Sequence, residues 1–490
     1  MFGPDRVQSM SIRQQVATSA ERHALIQETL GERYFDYPID RSVDIRPLVR
    51  FSVWSLLSPG AGGTPKGRNG SFARGFSYLK QLGQSFTPHF RSIRDTAIGD
   101  LRAARRSEVT MAQSLFITPS AHQHSIGSRS IDRTYSPVGR RLGPPSVHLT
   151  SAALWTLAGR FAAIDSERKR NAARVGHAIA LELDETLGSC FTRQVLADHL
   201  SANFADFEAG RLVGRNLRHR LPRLRHVFTA AWYQPLVMGV LHEMNAADIV
   251  SVDIQHGQQG PFQSMFVGMP RSEVVAQGVT PSESWVWGRR TQELMETQGG
   301  DHHDVHIIGY PFLLDTNIYR DLVSRDGAVP ESDVLISLQG AHLDSPEEVP
   351  FDVIREILKA GLSVQLRQHP NHRLSRLSLT QIRREFSDGV VVSDPRLPFS
   401  VVVPSVRVNV SGFSSTTLEA ASLGVPSLLW SSIAGQQYAD LIDSGVVAVT
   451  RSFGDVVAYV ETTGNVDFTP VRQYITPGDE SLLTQIDRLT

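Results

Sequence analysis

The sequence predicts an α/β protein with two Rossmann-like lobes and a ligand cleft between them. Segments of strand and helix character alternate over residues 226–310 and again over 332–449, which is typical of parallel sheets with crossover helices. A polar segment with proline and glycine, residues 323–332, separates the two runs. The length of 490 residues accommodates two domains of ordinary size. We expect ligands in the cleft because open α/β sheets bind them at the carboxyl ends of their strands.

Composition narrows the function classes. Hydrophobic residues make up 41% and charged residues 20% of the chain, as in ordinary globular proteins. The net charge of −1 provides no global field that would recruit nucleic acid. Cys190 is the only cysteine, so an intrachain disulfide and a cysteine-rich zinc site are excluded. The sequence shows no signal-peptide core and no apolar run of membrane-spanning length. A cytoplasmic location is therefore expected.

The first 210 residues give weaker signals. Residues 47–57 combine β-branched and aromatic residues and predict a strand. A glycine-rich segment, 58–75, follows; it is a surface loop or a ligand loop, but not a P-loop, because Gly67 follows Lys66. Helical patterns are predicted over 85–112 and 148–210, and a strand over 114–118.

Hydroxyl side chains cluster between a buried strand and a helix in the second half of the chain. Ser411, Gly412, Ser414, Ser415 and Thr416 lie in this segment. Hydroxyls at the start of a helix either cap it or help to hold a phosphate. Four consecutive hydroxyl residues, 414–417, exceed the needs of one cap, so the sequence favours a phosphate site.

A second polar group follows another predicted strand. Arg367, Gln368, His369 and Pro370 lie there, with His372 and Arg373 just beyond. Proline keeps the preceding residue away from helical conformation. Arginine and histidine at the end of a strand can neutralise a phosphate leaving group. A solvated polar turn is the alternative.

Together these two groups resemble a family pattern. His369-Pro370 and Ser414-Ser415 resemble the HP and SS motifs of bacterial GT-B transferases, including sialyltransferases, Kdo transferases and teichoic-acid-type polyol-phosphate transferases. The resemblance implies that these residues hold the phosphate and ribose of a cytidine nucleotide. The segment LEAASLGVP is similar to a GT-B donor-lobe helix and implies that Glu419 contacts the donor ribose. A surface carboxylate is the competing interpretation.

The resemblance extends into the first lobe. Residues 250–260, VSVDIQHGQQG, are similar to the QHG segment of surface-polysaccharide glycosyltransferases, and SWVWG with VHIIGYP to the pair that precedes their donor lobe. The similarity covers roughly residues 225–450. It implies a GT-B fold with an acceptor-binding lobe, including helical insertions, over 1–325. The donor lobe would span 326–490, with a terminal helix that crosses back.

Residues 250–260 also contain candidate acid–base residues, which lie at the predicted end of a strand. Asp253 or His256 could accept a proton from an acceptor hydroxyl, and Gln255 and Gly257 are candidates for acceptor binding. Alternation in a strand places Asp253 and His256 on opposite faces, so they need not act together. A structural histidine is the alternative for His256.

Weaker acceptor-side candidates lie on an earlier polar loop. These are His122, with its neighbour His124, and Asp132. The segment HHDVH, 302–306, lacks the ligand spacing of a zinc site and is interpreted as a solvated turn. We therefore predict no metal and no cofactor.

The basic segment 215–226 has two interpretations. Most charge runs are solvated faces, but this one could contact an anionic membrane at the inner face of a bacterial cell or a lipid-linked acceptor. The sequence predicts a metal-independent glycosyltransferase with a nucleotide-sugar donor, CMP-linked by resemblance, and a glycan or glycolipid acceptor in capsule or lipopolysaccharide synthesis. The alternatives are a CDP-polyol phosphotransferase of teichoic-acid type and a non-catalytic nucleotide or glycan binder; an epimerase is less favoured.

Overall fold

The fold is taken from a computed structural model of the chain. The structure describes residues 19–30, 43–57, 111–126, 129–143, 145–162, 166–188, 191–261, 263–268, 278–298, 304–324, 330–338, 349–369, 374–394, 397–412, 414–430, 432–450, 454–462 and 466–489. The glycine-rich segment 58–75 and most of the helix predicted over 85–112 lie outside these residues.

The first lobe contains a six-stranded parallel sheet with the strand order β4-β1-β5-β6-β7-β8. A short antiparallel hairpin, β2–β3, follows the carboxyl end of β1. The strands are β1 (Ser114–Thr118), β2 (Gln123–Ile126), β3 (Arg129–Asp132), β4 (Ser146–Thr150), β5 (His226–Thr229), β6 (Val250–Ile254), β7 (Glu283–Val286) and β8 (Asp304–Ile307). Strand order reverses between β1 and β5, and such a switch point is where open α/β sheets bind ligands.

The second lobe also contains a six-stranded parallel sheet, with the order β11-β10-β9-β12-β13-β14. In chain order this is the 3-2-1-4-5-6 arrangement of the Rossmann fold, with its switch point between β9 and β12. The strands are β9 (Ser332–Ser337), β10 (Val364–Arg367), β11 (Val390–Val392), β12 (Val406–Ser411), β13 (Ser427–Leu429) and β14 (Val447–Val449). The predicted two-lobed α/β fold is therefore confirmed.

The helices of the first lobe include three long ones that pack together beside the sheet. They confirm the helical pattern predicted over 148–210 except at its start, where residues 148–150 belong to β4. The described helices are α1 (Ser19–Leu30), α2 (Arg46–Leu57), α3 (Tyr135–Leu142), α4 (Ser151–Ala162), α5 (Ser166–Leu187), α6 (Arg193–Arg220), α7 (Pro235–Asn245), α8 (Arg289–Gln298), α9 (Pro311–Leu314) and α10 (Thr316–Ser324), with a 3₁₀ turn at Ser120–His122.

The helices of the second lobe are shorter. They are α11 (Phe351–Lys359), α12 (Arg376–Phe386), α13 (Phe399–Val402), α14 (Thr416–Ser422), α15 (Ser432–Gln437), α16 (Ala439–Asp443), α17 (Gly454–Thr462) and α18 (Glu480–Leu489), with 3₁₀ turns at Ser387–Gly389, Val403–Ser405 and Thr469–Gln473. Among all the described helices, none is both long enough and apolar enough to cross a bilayer.

The prediction of a strand over residues 47–57 was wrong, because this segment forms α2. Its buried residues recur with helical spacing and pack against α6, so burial of a helix face overrides the strand preference of valine and phenylalanine. The carboxylate of Asp44 accepts a hydrogen bond from the backbone N–H of Arg46 at 3.0 Å and satisfies one free donor at the start of the helix.

Apolar clusters join the two lobes. Trp287 and Tyr310, which follow β7 and β8, share a buried cluster with Leu429 and Tyr438 of the second lobe. The last helix, α18, packs against the first sheet, where Leu482 lies in the cluster around the β-strand aromatic side chains. The chain thus contacts the first lobe again after it has completed the second.

Helices α6 and α7 cross where two glycines meet. A Cβ at Gly239 would overlap the carbonyl oxygen of Phe207 and lie 2.9 Å from the Cα of Gly210. The crossing therefore depends on the missing side chains. We expect Gly239→Ala to destabilise the protein by about 1–3 kcal/mol, as overpacking does, measured as a lower midpoint of thermal unfolding.

Gly159→Ala in α4 is the matched control, since a Cβ there meets no atom within 4 Å. Alanine is the better helix former, so this variant should be neutral or slightly more stable. Equal midpoints for the two variants would contradict the close-packed crossing.

Candidate active site

The carboxyl ends of the two sheets face each other across one crevice. The N-terminal wall consists of the 3₁₀ turn 120–122, the loop after β5 (230–234) and the loop after β6 (255–260). The C-terminal wall consists of residues 367–369 at the end of β10 and residues 411, 412 and 414–417 at the end of β12. Each wall lies at or beside the switch point of its sheet, where parallel α/β sheets bind ligands.

His256 lies at the centre of the N-terminal wall. Its ring centroid is 5.5 Å from that of His122, and its Nε2 is 3.5 Å from the hydroxyl of Tyr233. Its Nδ1 is buried and has no hydrogen-bond partner in the described part of the protein. Burial and the nearby charge of Arg133 lower the pKa of His256 to about 4, so the imidazole is neutral at pH 7.

Asp253 lies near the end of β6, three residues before His256, and is 1% exposed. Its Oδ1 accepts hydrogen bonds from Thr229 Oγ1 at 3.2 Å and from the N–H of Trp232 at 3.4 Å, whereas its Oδ2 has no partner among the described residues. Burial raises the pKa of Asp253 to about 8, although these hydrogen bonds oppose the shift. At pH 7 the carboxyl group is therefore mainly protonated.

Asp132 anchors the loop after β3. Its carboxylate accepts hydrogen bonds from the backbone N–H groups of Thr134 and Tyr135 and from the hydroxyl of Thr118. Burial acts to raise the pKa of Asp132, but His148, the nearby His122 and the N–H of Tyr135 keep it well below the usual range. The hydrogen bonds to Asp132 fix the backbone on either side of Arg133.

Gln255 supports the same wall from within. Its amide Nε2 donates to the carbonyl of Gly257 at 2.9 Å, and its Oε1 accepts from the N–H of Trp287 at 2.7 Å. The side chain is 2% exposed. The Gln255 amide thus holds the turn at Gly257 in place.

Arg367 and Ser411 form the base of the C-terminal wall. Both residues align with Ser337, the last residue of the strand between them, so about two strand spacings, roughly 10 Å, separate their backbones. The described residues offer no partner to Arg367 Nη1 or Ser411 Oγ, although both atoms are buried. Burial, together with the charge of Arg133, lowers the pKa of Arg367 to about 10.

The predicted HP turn is partly described. Gln368 is buried, and its Oε1 accepts a hydrogen bond from the N–H of Leu374 at 3.0 Å, which ties together the two ends of the turn. His369 is half-buried. Pro370, His372 and Arg373 lie outside the described residues.

The hydroxyl cluster lies at the start of α14, as the sequence predicted. Ser414 Oγ accepts a hydrogen bond from the N–H of Thr416 at 3.2 Å, but Ser415, the residue at the cap position, makes no capping hydrogen bond through its side chain. Thr416 Oγ1 is buried and has no partner within the described segments. Capping therefore accounts for only one of the hydroxyls. Gly412, between this group and the strand, is buried.

Two polar contacts and one close approach bring the two lobes together beside the walls. Arg133 donates to Glu419 at 3.0 Å and also to the hydroxyl of Tyr310. A Cβ at Gly257 would lie 3.9 Å from Ser415 Oγ. The Gln258 amide donates to the carbonyl of Gln437 at 3.3 Å. The QHG segment and the hydroxyl cluster, 158 residues apart in the chain (415 − 257), are therefore neighbours.

Sequence reasoning missed Arg133 and Tyr310. Arg133 follows a predicted site residue, but its partner Glu419 is 286 residues away, and no local pattern reports such a contact. Glu419 itself is 2% exposed and forms an interlobe ion pair, whereas the resemblance implied a contact with ribose.

The HHDVH segment is described only in part. His302 and His303 lie outside the described residues, and His306 Nε2 is 3.8 Å from Glu283 Oε2. Within the described ranges no group of three histidine, cysteine or acidic side chains is arranged to hold a metal ion.

Two Rossmann-like lobes that share one crevice at their strand ends define a protein of GT-B architecture. No known family model matches the sequence, and no curated protein matches it. Solved structures resemble it at low identity.

Three of these structures illustrate the degree of likeness. UDP-GlcNAc 2-epimerase from Methanocaldococcus jannaschii is 9% identical, with a TM-score of 0.44, over 77% of this chain and 100% of that one. A putative UDP-N-acetylglucosamine 2-epimerase from Listeria monocytogenes is 10% identical, with a TM-score of 0.47, over 77% and 95%. The wall teichoic acid polymerase TagF is 10% identical, with a TM-score of 0.42, over 85% and 97%.

The raised pKa of Asp253 predicts a pH-dependent stability. Between about pH 4 and pH 8 the folded protein keeps this carboxyl protonated while the unfolded chain ionises it. Stability is therefore lost as the pH rises through this window. Asparagine does not titrate, so the thermal midpoint of Asp253→Asn should rise relative to the unmodified protein from pH 4 to pH 8.

Thermal unfolding of both proteins across this range checks the prediction. The lowered pKa of His256 acts in the opposite direction, but it is present in both proteins and cancels in the comparison. A difference in midpoint that stays constant with pH would show that Asp253 ionises normally.

Proposed function

We propose that the protein transfers a sugar from a nucleotide donor to an acceptor hydroxyl in the crevice. One observation carries this proposal: both walls contain buried polar atoms that have no hydrogen-bond partner among the described residues. They are Arg367 Nη1, Ser411 Oγ and Thr416 Oγ1 on the C-terminal wall and His256 Nδ1 on the N-terminal wall. Each such atom costs roughly 1–3 kcal/mol if it stays unpaired, so a polar ligand in the crevice would offset the cost.

The C-terminal wall suits the phosphate of the donor. The Arg367 guanidinium would pair with phosphate oxygens, and the hydroxyls of Ser411, Ser414, Ser415 and Thr416 would donate to them. His369 would act from the neighbouring turn. Fixed donors of this kind stabilise the negative charge that develops on a leaving phosphate. The proposed reaction therefore uses side-chain charge in place of a metal ion.

The N-terminal wall supplies the base. The Nδ1 of His256 has no partner among the described residues, and we propose that it accepts the proton of an acceptor hydroxyl as that oxygen bonds to the anomeric carbon of the donor. The bond between this carbon and the phosphate oxygen breaks, and its electron pair leaves with the nucleotide. Asp253 is the second candidate for the base, but its pKa of about 8 leaves it mainly protonated at pH 7.

The resemblance of the HP and SS motifs supports a CMP-linked donor and a surface glycan or glycolipid acceptor. Two alternatives remain. With a CDP-linked polyol donor the acceptor would attack phosphorus, and the polyol phosphate would be transferred with CMP as the leaving group. A non-catalytic binder would keep the C-terminal wall but would turn over no donor.

Binding of the nucleotide tests the C-terminal wall. A ligand at about 100 times its dissociation constant stabilises a protein by roughly 2.7 kcal/mol. We expect CMP to raise the thermal midpoint, with and without EDTA, more than UDP or GDP does. Arg367→Ala and His369→Ala should abolish the rise.

Arg383→Ala, on the exposed face of α12, is the matched control and should retain the full rise. A larger rise in thermal midpoint with UDP than with CMP would indicate a UDP-linked donor instead. A rise that survives Arg367→Ala would place the nucleotide elsewhere.

Turnover tests the base. His256→Asn should retain the rise with CMP but lose transfer activity by about 10²–10⁴-fold, the usual contribution of a general base. His177→Asn, exposed on α5, should keep full activity. Full activity in His256→Asn together with inactivity in Asp253→Asn would assign the base to Asp253.

We also propose that the basic segment contacts an anionic membrane. Its residues line a pocket of about 460 Å³. The lining includes the basic residues Arg215, Arg218 and His219 and the apolar residues Leu221 and Ile249. This pocket lies at the amino ends of β5 and β6, away from the crevice. Sedimentation with phosphatidylserine vesicles at low salt tests the contact. Equal binding after charge reversal of Arg215 and Arg218 would rule it out.

A further inference from the structure

Tyr438 lies between two short helices, α15 and α16, and its backbone is bonded to both. Its N–H donates to the carbonyl of Ala434 at 3.0 Å, and its own carbonyl accepts from the N–H groups of Leu441 and Ile442, both at 3.0 Å. The residue is 0% exposed, so it does not touch a ligand in the crevice. Tyr438 is therefore a fixed point behind the surface of the site.

The surroundings of Tyr438 come from both lobes. Its ring belongs to the buried cluster in which Trp287 and Tyr310 represent the first lobe. The residue before it also contacts the first lobe, because the carbonyl of Gln437 accepts a hydrogen bond from the amide of Gln258 at 3.3 Å. Apposition of the two lobes thus sets the position of Tyr438.

The hydroxyl of Tyr438 reaches the hydroxyl cluster at the start of α14. It donates to the carbonyl of Ser414 at 2.8 Å. Burial raises the pKa of Tyr438, so the hydroxyl keeps its proton and remains a donor. The Ser414 carbonyl also accepts from the N–H of Thr417 at 3.0 Å. The first turn of α14 therefore has its own hydrogen bond, and the tyrosine adds a second hold on Ser414.

We propose that Tyr438 is a positioning residue for the phosphate site: it holds the backbone of Ser414 and thereby keeps the hydroxyls of residues 414–416 in place for a phosphate. The inference rests on the proposed function and adds a residue that acts on the phosphate only through others. Ser415 makes no capping hydrogen bond through its side chain, so the place of its hydroxyl depends on the backbone. Displacements of about 1 Å are enough to weaken such a site.

A comparison of CMP with cytidine isolates the phosphate, because the two ligands differ in that group alone. We expect the unmodified protein to bind CMP more tightly than cytidine, measured by isothermal titration. Tyr438→Phe should weaken CMP by about three- to tenfold, the equivalent of one ordinary hydrogen bond, and should leave cytidine unchanged. A residue that only stabilised the fold would lower the thermal midpoint of the free protein and leave the ratio of the two affinities as it is.

Tyr459→Phe is the matched control. The hydroxyl of Tyr459 also donates to a backbone carbonyl of the second lobe, that of Gly445, at 3.1 Å. This contact lies at the amino end of β14, at the opposite edge of the sheet from the crevice. Tyr459→Phe should therefore leave the affinities for CMP and for cytidine unchanged.

A double-mutant cycle tests whether Tyr438 acts through the hydroxyls. In a protein that carries both Ser415→Ala and Thr416→Ala, the additional change Tyr438→Phe should weaken CMP by less than about twofold, because the donors that it positions are gone.

The outcomes separate this inference from the proposed function. An equal loss of CMP affinity in both backgrounds, unchanged CMP binding in Tyr438→Phe, or failure of that variant to fold would overturn the positioning role and leave the phosphate site standing. Equal affinities of the unmodified protein for CMP and cytidine would overturn the phosphate site, and the positioning role with it.

Discussion

The ion pair between Arg133 and Glu419 is the contact on which the crevice depends. It joins a loop of the first lobe to the first turn of α14 in the second, with side chains that are 20% and 3% exposed. Asp132 fixes the loop beside it through backbone hydrogen bonds. Loss of either partner would leave a largely desolvated charge, which is strongly unfavourable. Burial lowers the pKa of His256, and the charge of Arg133 adds to this shift, so the side chain that joins the lobes also acts on the proposed base.

The topology explains why polar groups accumulate at this place. In both sheets the strand order reverses near the crevice, and the connecting segments diverge there and leave an opening. Residues at the strand ends next to this opening, such as Arg367, Ser411 and Asp253, are buried by the surrounding sheet and helices. A polar atom of each has no partner in the part of the chain that the structure describes, and under the proposed function a polar ligand would satisfy these atoms.

The sequence allowed much of the fold to be predicted, because alternation of strands and helices is a local signal. The hydroxyl cluster and the HP turn were found for the same reason: each follows a recognisable buried strand. Residues 47–57 were misassigned because strand preference and helical burial compete in a segment of eleven residues (57 − 47 + 1), and only the packing against α6 decides between them. Arg133 could not be predicted, since its role depends on Glu419, which is 286 residues away.

Amide hydrogen exchange with and without CMP tests the shared crevice most directly. If one nucleotide lies between the walls, protection should increase together in 230–234 and 255–260 of the first lobe and in 411–417 of the second, and little elsewhere. Protection confined to one lobe, or centred on the basic pocket near Arg218, would contradict a single site built from both lobes.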